Sequence, residues 1–285
     1  MITITGATGS LNRATVDHLL QSLDPSELVV VVRDPSRADD LARRGVEVRA
    51  GDYADPHGLR AAFEGADRLL LVSSNDQNAD AAALHRGAIQ AASDAGVGHV
   101  LYTSHQGADA SSPFAPARDH AATEEALAAS GLPWTALRNG FYAHSLQWLL
   151  GPWRKTGAVS VPADGPVSWT SRDDLAEAAA RLLGRQVLPQ GPVTLTATHA
   201  PSFADLARWA GETAGREVAL DVIDEEEWMQ RSLAAGRPEG AVRFTLGVFQ
   251  AAEGGFFAGT DPALRTLLGR EPVTARSVVD SLARA

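Results

Sequence analysis

A glycine-rich turn set directly behind the first strand constrains this chain more than any other feature. The β-branched run Ile2–Thr5 reads as a strand and passes without a spacer into Gly6-Ala7-Thr8-Gly9-Ser10-Leu11-Asn12. Two glycines three apart permit a tight turn and let a ligand lie close against the backbone. A helix starting near Ser10 then aims N–H groups and the positive end of its dipole into the turn. Strand, turn and helix in this order suit a dinucleotide pyrophosphate. The third glycine of the usual spacing is Asn12 here. Either the helix stands slightly further from the strand, or Asn12 itself contacts the ligand.

The turn opens a regular alternation that runs through the first 140 residues. Short apolar runs at 2–5, 28–33, 46–50, 69–72, 100–104 and 134–137 are separated by longer Ala-, Leu- and charge-rich stretches with helical spacing. Strands alternating with helices imply βαβ units and a parallel sheet covered on both faces. The run Leu28-Val29-Val30-Val31-Val32 is apolar throughout, as a strand buried on both faces should be. The expected fold is α/β: a Rossmann-type doubly wound parallel sheet over residues 1–140, with a smaller C-terminal α/β lobe over 141–285. The sheet domain also receives a helix at 173–183 and a later strand. Beyond Gly140 the alternation breaks, and residues 141–170 are rich in aromatic, Gly and Pro residues. Helices are expected at 202–214 and 225–235, and strands at 193–197 and 218–222. The acidic run Asp224-Glu225-Glu226-Glu227 reads as the first turn of the last helix, favoured by its dipole.

Composition removes several classes of function. With 45% hydrophobic residues in a chain of 285, a sizeable core is expected. The net charge of −10 argues against a general nucleic-acid or anionic-membrane binder. No cysteine is present, so disulfides, thiolate catalysis and cysteine-ligated zinc are excluded. No apolar run approaches the ~20 residues that span a bilayer, and the chain begins in a strand rather than a signal peptide. A cytoplasmic location is expected. No histidine pair has the spacing of a metal site.

The end of the second strand bears on which dinucleotide is bound, because the adenosine ribose lies there. An NAD-specific site places a carboxylate at that point. Here the strand ends in Arg33, with Asp34 next and Arg37 beyond. Arg33 suits a 2′-phosphate, so NADP(H) is preferred, with NAD(H) still open; the alternative is an exposed arginine paired with Asp34.

Further short runs fall in order along the chain: Val32-Arg33-Asp34-Pro35, Gly51-Asp52-Tyr53, Leu71-Val72-Ser73-Ser74, Tyr102-Thr103-Ser104, Thr123-Glu124 with Ser130-Gly131-Leu132, and Leu137-Arg138-Asn139-Gly140-Phe141-Tyr142. With the first turn, they resemble the NmrA-like branch of the atypical short-chain dehydrogenase/reductases. Within it, the chain looks most like the NAD(P)H:quinone oxidoreductase and triphenylmethane reductase group. The resemblance implies a cofactor site of Gly6, Thr8, Gly9, Ser10, Leu11 and Asn12 on the phosphates and Arg33 on the 2′-phosphate. It puts Asp52 and Tyr53 near the adenine, Ser73 and Ser74 along the cofactor, and Ser104 and His105 beside the nicotinamide. Asn139, Phe141 and Tyr142 lie in the segment crossing to the substrate. The chain departs from the group after this aromatic pair, where it has Ala143-His144-Ser145.

Short-chain dehydrogenases ordinarily use a tyrosine with a lysine four residues later. That pair is absent. The three tyrosines, Tyr53, Tyr102 and Tyr142, are followed at that distance by His57, Gln106 and Leu146, and the sole lysine is Lys155. Hydride delivery to an electron-poor acceptor needs positioning more than a strong acid. His120, near the place of the missing lysine, is the candidate proton donor to a reduced oxygen, and Tyr142 is the second candidate catalytic residue. Phe141, Tyr142, His144 and Trp148 are the candidate substrate contacts. Trp148, Trp153 and Trp169 either form a flat wall for a planar acceptor or pack in the core.

Three readings follow. The first is an NAD(P)H-dependent reductase of quinones or other planar conjugated acceptors, with neither metal nor flavin. The second is a non-catalytic NAD(P)-binding sensor that regulates a partner, and the third a reductase in specialised-metabolite biosynthesis. The expected partner is a small planar molecule; no nucleic acid or membrane is expected, and a homodimer stays open.

Overall fold

The computed structural model describes residues 1–74, 76 and 79–284. In chain order its elements are β1 (Ile2–Thr5), α1 (Ser10–Leu19), β2 (Leu28–Val32), α2 (Asp39–Arg43), β3 (Glu47–Ala50), α3 (Pro56–Phe63), β4 (Arg68–Leu71), α4 (Ala81–Asp94), β5 (His99–His105), α5 (Ala115–Ala129) and β6 (Trp134–Asn139). There follow α6 (Leu146–Leu149), α7 (Trp153–Thr156), β7 (Ala158–Val161), α8 (Arg172–Leu183), β8 (Gly191–Leu195), α9 (Phe203–Ala214), β9 (Ala219–Val222), α10 (Glu225–Ala234), α11 (Glu239–Glu253), α12 (Ala263–Leu268) and α13 (Ala275–Arg284). Seven strands form one sheet in the order β3-β2-β1-β4-β5-β6-β8, and β7 and β9 form a second, two-stranded sheet. The chain separates into two compact units: residues 1–110, 119–138 and 175–193, and residues 111–118, 139–174 and 194–285.

In the first unit the strands explain the sheet. β1 pairs parallel with both β2 and β4, β2 with β3, and β4 with β5. Every residue of Leu28–Val32 is buried, as its unbroken apolar run requires. Because strand side chains alternate, Val29 and Val31, Leu69 and Leu71, and Val100 and Tyr102 share one face. They pack there with Leu59 and Phe63 of α3 and Ala88 and Ala92 of α4. The doubly wound sheet is thus the expected one, and its strand order reverses between β1 and β4, where such folds hold ligands at the carboxyl ends of the strands.

The second unit is built around an aromatic cluster. Phe141, Trp169, Phe203, Phe249 and Phe257 are buried together. Their rings meet edge-on or tilted at centroid distances of 5.0 to 5.7 Å, the favoured geometry for aromatic pairs. Helix α9 starts on a capping box between Ser202 and Asp205, and Asp224 caps α10 by accepting from the Glu226 N–H at 2.8 Å. The acidic run is therefore a helix start, as expected. Two regions differ from the expectation. Residues 141–170 contain α6, α7 and β7, each only four residues long, too short to register as periodic patterns. Helix α11 carries Gly240 and Gly247, which weaken its helical signature. Gly247 has a packing reason: a Cβ there would stand 3.2 Å from the Pro113 carbonyl oxygen.

Candidate functional site

The glycine turn is built by its own backbone. Gly6 adopts φ +63°, a conformation that favours glycine, and its N–H donates to the Val31 carbonyl at 3.0 Å. A Cβ on Gly6 would also stand 2.6 Å from Val72 Cγ1. The Gly9 N–H closes the turn onto the Gly6 carbonyl at 2.9 Å, and Gly9 then begins α1. No side chain caps that helix, and its first turn holds no acidic residue. Thr8, Gly9 and Ser10 are exposed. A helix N-terminus that is uncapped, exposed and free of negative charge fits a pyrophosphate.

Asn12 is turned the other way. It is 1% exposed, and its Nδ2 donates to the Thr5 carbonyl at 2.7 Å. The amide nitrogen ties α1 to the end of β1, while Oδ1 is buried with no hydrogen-bond partner among the described residues. Leu11 is half-buried on the first helical turn.

Around the turn, some candidates are open and others are committed to the fold. Arg33 is exposed at the end of β2 and makes no ion pair among the described residues. Asp34 is occupied elsewhere, accepting from the Ser36 N–H at 3.1 Å and its hydroxyl at 2.7 Å. Those hydrogen bonds, with Arg37 nearby, hold the Asp34 carboxyl below the usual range. Asp52 is exposed and accepts from the Ala54 N–H at 3.0 Å. The Tyr53 hydroxyl braces two strand ends, lying 2.7 Å from Thr5 Oγ1 and donating to the Val72 carbonyl at 2.7 Å. Burial pushes its pKa up. Ser73 donates its N–H to Thr103 Oγ1 at 2.8 Å. Ser104 is buried, and its hydroxyl donates to the Glu124 carboxylate at 2.6 Å. The Ser104 hydroxyl is thus spent on Glu124, which leaves the backbone for the expected place beside a nicotinamide.

Behind the loop after β4 lies a buried polar network. The Ser74 N–H donates to His85 Nε2 at 2.7 Å, so that nitrogen is unprotonated and the Nδ1 of this ring carries the hydrogen. His85 Nδ1 lies 2.8 Å from Thr123 Oγ1, whose hydroxyl donates to the Asp119 carbonyl at 2.7 Å. Tyr102 OH stands 2.8 Å from His120 Nδ1. His120 in turn stacks on His105, with ring centroids 6.1 Å apart and 19° between planes. Burial holds the pKa values of His85 and His105 down to about 4. Burial first, then His105 and His85, holds His120 well below its usual value. His120 is therefore a neutral ring at neutral pH, and the expected proton donor carries no extra proton to give.

Sequence reasoning missed the weight of His85, Thr123, Glu124 and Arg138. The signal was available: His120, Thr123 and Glu124 fall at i, i+3 and i+4, on one face of α5.

The second unit holds the remaining candidates. The Tyr142 ring stacks on His144 at 5.6 Å with 29° between planes. Tyr142 is half-buried and His144 exposed. Burial raises the Tyr142 pKa, offset by Arg172 and by a hydrogen bond from the Asn139 side chain. Burial, then Arg172, lowers that of His144. Asn139 itself is buried. Phe141, 7% exposed, belongs to the aromatic cluster, which leaves little of its ring for the expected contact with substrate. Trp153 and Trp169 are core residues as well, while Trp148 remains 39% exposed, so the three form no common wall.

Fold, turn and strand order define a dinucleotide-binding α/β protein. Residues 6–186 match the family described as NAD(P)H-binding. Quinone oxidoreductase 2 of Escherichia coli (strain K12) is 33% identical over 284 residues, covering 99% of this chain and 98% of that protein. An NmrA-like family domain-containing oxidoreductase of Aspergillus flavus is 30% identical, covering 98% of this chain and 94% of its own. The crystal structure of the Citrobacter sp. triphenylmethane reductase complexed with NADP(H) superposes with a TM-score of 0.90 at 32% identity, covering 99% and 100% of the two chains. This chain belongs to the NAD(P)H-binding family, as an NAD(P)H-dependent oxidoreductase.

Proposed function

We propose that this protein is an NADPH-dependent reductase that passes hydride to a quinone or another planar conjugated acceptor, without a Tyr–Lys pair. The observation that carries the reading is the pairing of an uncapped glycine turn with an exposed Arg33 whose neighbouring carboxylate is engaged elsewhere. The backbone of Gly9, Ser10 and Leu11 binds the pyrophosphate, and Arg33 binds the 2′-phosphate by a charge-assisted hydrogen bond. Thr8 borders the phosphates, Asp52 and the open part of the Tyr53 ring border the adenine, and the backbones of Ser73 and Ser74 line the cofactor.

NADPH, when bound, supplies the hydride. The chain's own work is to hold the acceptor flat and keep its reacting carbon within reach. The stacked Tyr142 and His144 rings are a planar aromatic surface of the kind that such an acceptor stacks on. Similarity to proteins named for quinones and for triphenylmethane dyes supports a planar, electron-poor acceptor. We place the reaction in the cytoplasm and take its partner to be a small molecule.

The deciding experiment is NADPH oxidation by the purified protein against a panel of quinones, triarylmethane dyes and enones. Turnover with at least one class, faster with NADPH than with NADH, is expected. Tight NADPH binding with no oxidation by any acceptor would replace the reductase with a dinucleotide sensor.

A further inference from the structure

We infer that His105 and His120 form a stacked pair of neutral Nε2–H rings, locked in that tautomer by the fold, of which His120 hydrogen-bonds the acceptor's oxygen as it gains charge. The donor role rests on the reductase reading above; the tautomer lock does not.

The lock follows from tracing each proton. A backbone N–H can only donate. The Ser74 N–H reaches His85 Nε2, so the His85 hydrogen sits on Nδ1. That hydrogen is directed at Thr123 Oγ1, at 2.8 Å, and Thr123 spends its own on the Asp119 carbonyl. His85 Nδ1 lies 3.4 Å from the Tyr102 oxygen and, being a donor, cannot accept the phenol proton. Thr123 Oγ1, the other oxygen within its reach, already takes the His85 hydrogen, so the acceptor for that proton is His120 Nδ1, at 2.8 Å. Tyr102 therefore donates, His120 Nδ1 accepts, and the His120 hydrogen is on Nε2.

His105 reaches the same state by another route. Its Nδ1 accepts the Gly107 N–H at 3.0 Å, which again places the hydrogen on Nε2. Two nearly parallel imidazoles thus present the same tautomer, each with its inner nitrogen held by a donor of the fold. Both rings are half-buried, but His105 Nε2 is sealed from solvent, so the donor within a ligand's reach is His120 Nε2, with His105 stacked behind it. Such rings suit an acceptor whose carbonyl oxygen becomes an oxyanion when hydride arrives at carbon. The oxygen then takes its proton from water, and the two imidazoles keep theirs. A neutral imidazole can polarise a carbonyl in this way without transferring a proton. Tyr102 is the positioning residue, since it acts only through His120.

The titratable and charged groups around His120 are His85 on α4, Tyr102 and His105 on β5, and Asp119 and Glu124 on α5 itself, with Glu124 paired to Arg138 of β6.

The test reads the tautomers directly, by long-range ¹⁵N–¹H NMR of the full chain with assigned histidines. His105 and His120 should appear as neutral Nε2–H rings and His85 as a neutral Nδ1–H ring from pH 6 to 8. Tyr102→Phe should shift His120 Nδ1 towards an unbonded nitrogen and leave His105 unmoved. Adding NADP⁺ with 4-nitrophenolate, as an anionic-oxygen probe, should move the His120 Nε2–H proton. In turnover, Tyr102→Phe should lower kcat about tenfold with an unchanged KM for NADPH. His120→Ala should lower it about a hundredfold, as for loss of one oxyanion donor. His120→Gln, which keeps an N–H donor, should recover part of that loss. An Nδ1–H tautomer at His120, or a His120 signal indifferent to Tyr102→Phe, overturns the lock. A probe that leaves that proton unmoved, or His120 variants that change only NADPH affinity, overturns the donor role. The expected tautomers in a protein that reduces no acceptor would preserve the lock and defeat the reductase reading instead.

Discussion

Arg138 holds the Glu124 carboxylate by two nitrogens, with Nη2 2.6 Å from Oε2 and Nε 3.0 Å from Oε1. The Glu124 side chain is only 8% exposed and the Arg138 side chain 30%. Ser104 adds its hydroxyl to the same carboxylate, so three consecutive elements, β5, α5 and β6, meet on one buried charge. Arg138→Ala leaves that charge with the serine alone. It should cost about 2–3 kcal/mol, below the range for fully buried pairs because the arginine is partly solvated. Urea unfolding checks this, and a loss under about 0.5 kcal/mol, the size of an ordinary surface change, would show that solvent already screens the pair.

The two glycines of the first turn should fail in different ways. Gly6→Ala meets both a left-handed φ and Val72 Cγ1, so it should destabilise the fold by roughly 1–3 kcal/mol. Gly9 has φ −83° and ψ 148°, which any residue adopts. Gly9→Val should therefore keep the melting temperature within a few degrees and abolish dinucleotide binding by filling the pyrophosphate's place. Calorimetric titration with NADPH and thermal melts of both variants separate the two effects; unchanged affinity in Gly9→Val would sink the cofactor assignment.

Cofactor choice should hinge on Arg33. Removing its guanidinium in Arg33→Ala should cost roughly 1.5–3 kcal/mol of NADPH binding, about ten- to hundredfold in Kd. NADH, which has no 2′-phosphate, should bind as before. Equal weakening of both cofactors would mean that Arg33 does not read that group.

Acid should unfold this protein from within the histidine network. Burial holds the His85 pKa at about 4, against about 6.5 for an unfolded chain. The unfolded state takes up the proton first. The contribution is thus complete above pH 6.5 and lost as pH falls from 6.5 towards 4, amounting to about 3 kcal/mol. His105 and His120 act in the same direction. His85→Gln should be less stable than the parent at pH 7.5, yet its stability should fall less steeply between pH 6.5 and 4. Identical slopes in the two proteins would exclude His85 as a source.

At Tyr142 the ring should matter more than the hydroxyl. Tyr142→Phe keeps the stack on His144 and should retain most of kcat with the panel's best acceptor. Tyr142→Ala removes the flat surface and should raise the acceptor's KM. A thousandfold loss in the phenylalanine variant would instead make this tyrosine a catalytic acid, a role worth about 10²–10⁴-fold.

The sheet was legible because its information is local: the Leu28–Val32 run needs no partner to be recognised as a doubly buried strand. The glycine turn was legible for the same reason. Side-chain direction was not. Ser104, Asn12 and Phe141 all have the types expected of ligand contacts, and all three turn inwards to partners 7 to 28 residues away or further: Thr5 for Asn12, Glu124 for Ser104, Trp169 and Phe257 for Phe141. The histidine network was hidden likewise, since its links join α4, β5 and α5 across gaps of 18 and 38 residues. Short elements were missed because four residues complete barely one helical turn.

The Asn12 amide has a bearing on how such chains are found. Where relatives of the general dinucleotide fold bring helix and strand together by removing a side chain, this one joins them with the bond from Nδ2 to the Thr5 carbonyl. Closeness is achieved by adding an atom group rather than by deleting one. A search pattern that insists on glycine at this place discards every chain that stitches the junction instead, and an asparagine there, seven residues after the strand's last carbonyl, is an equally informative letter.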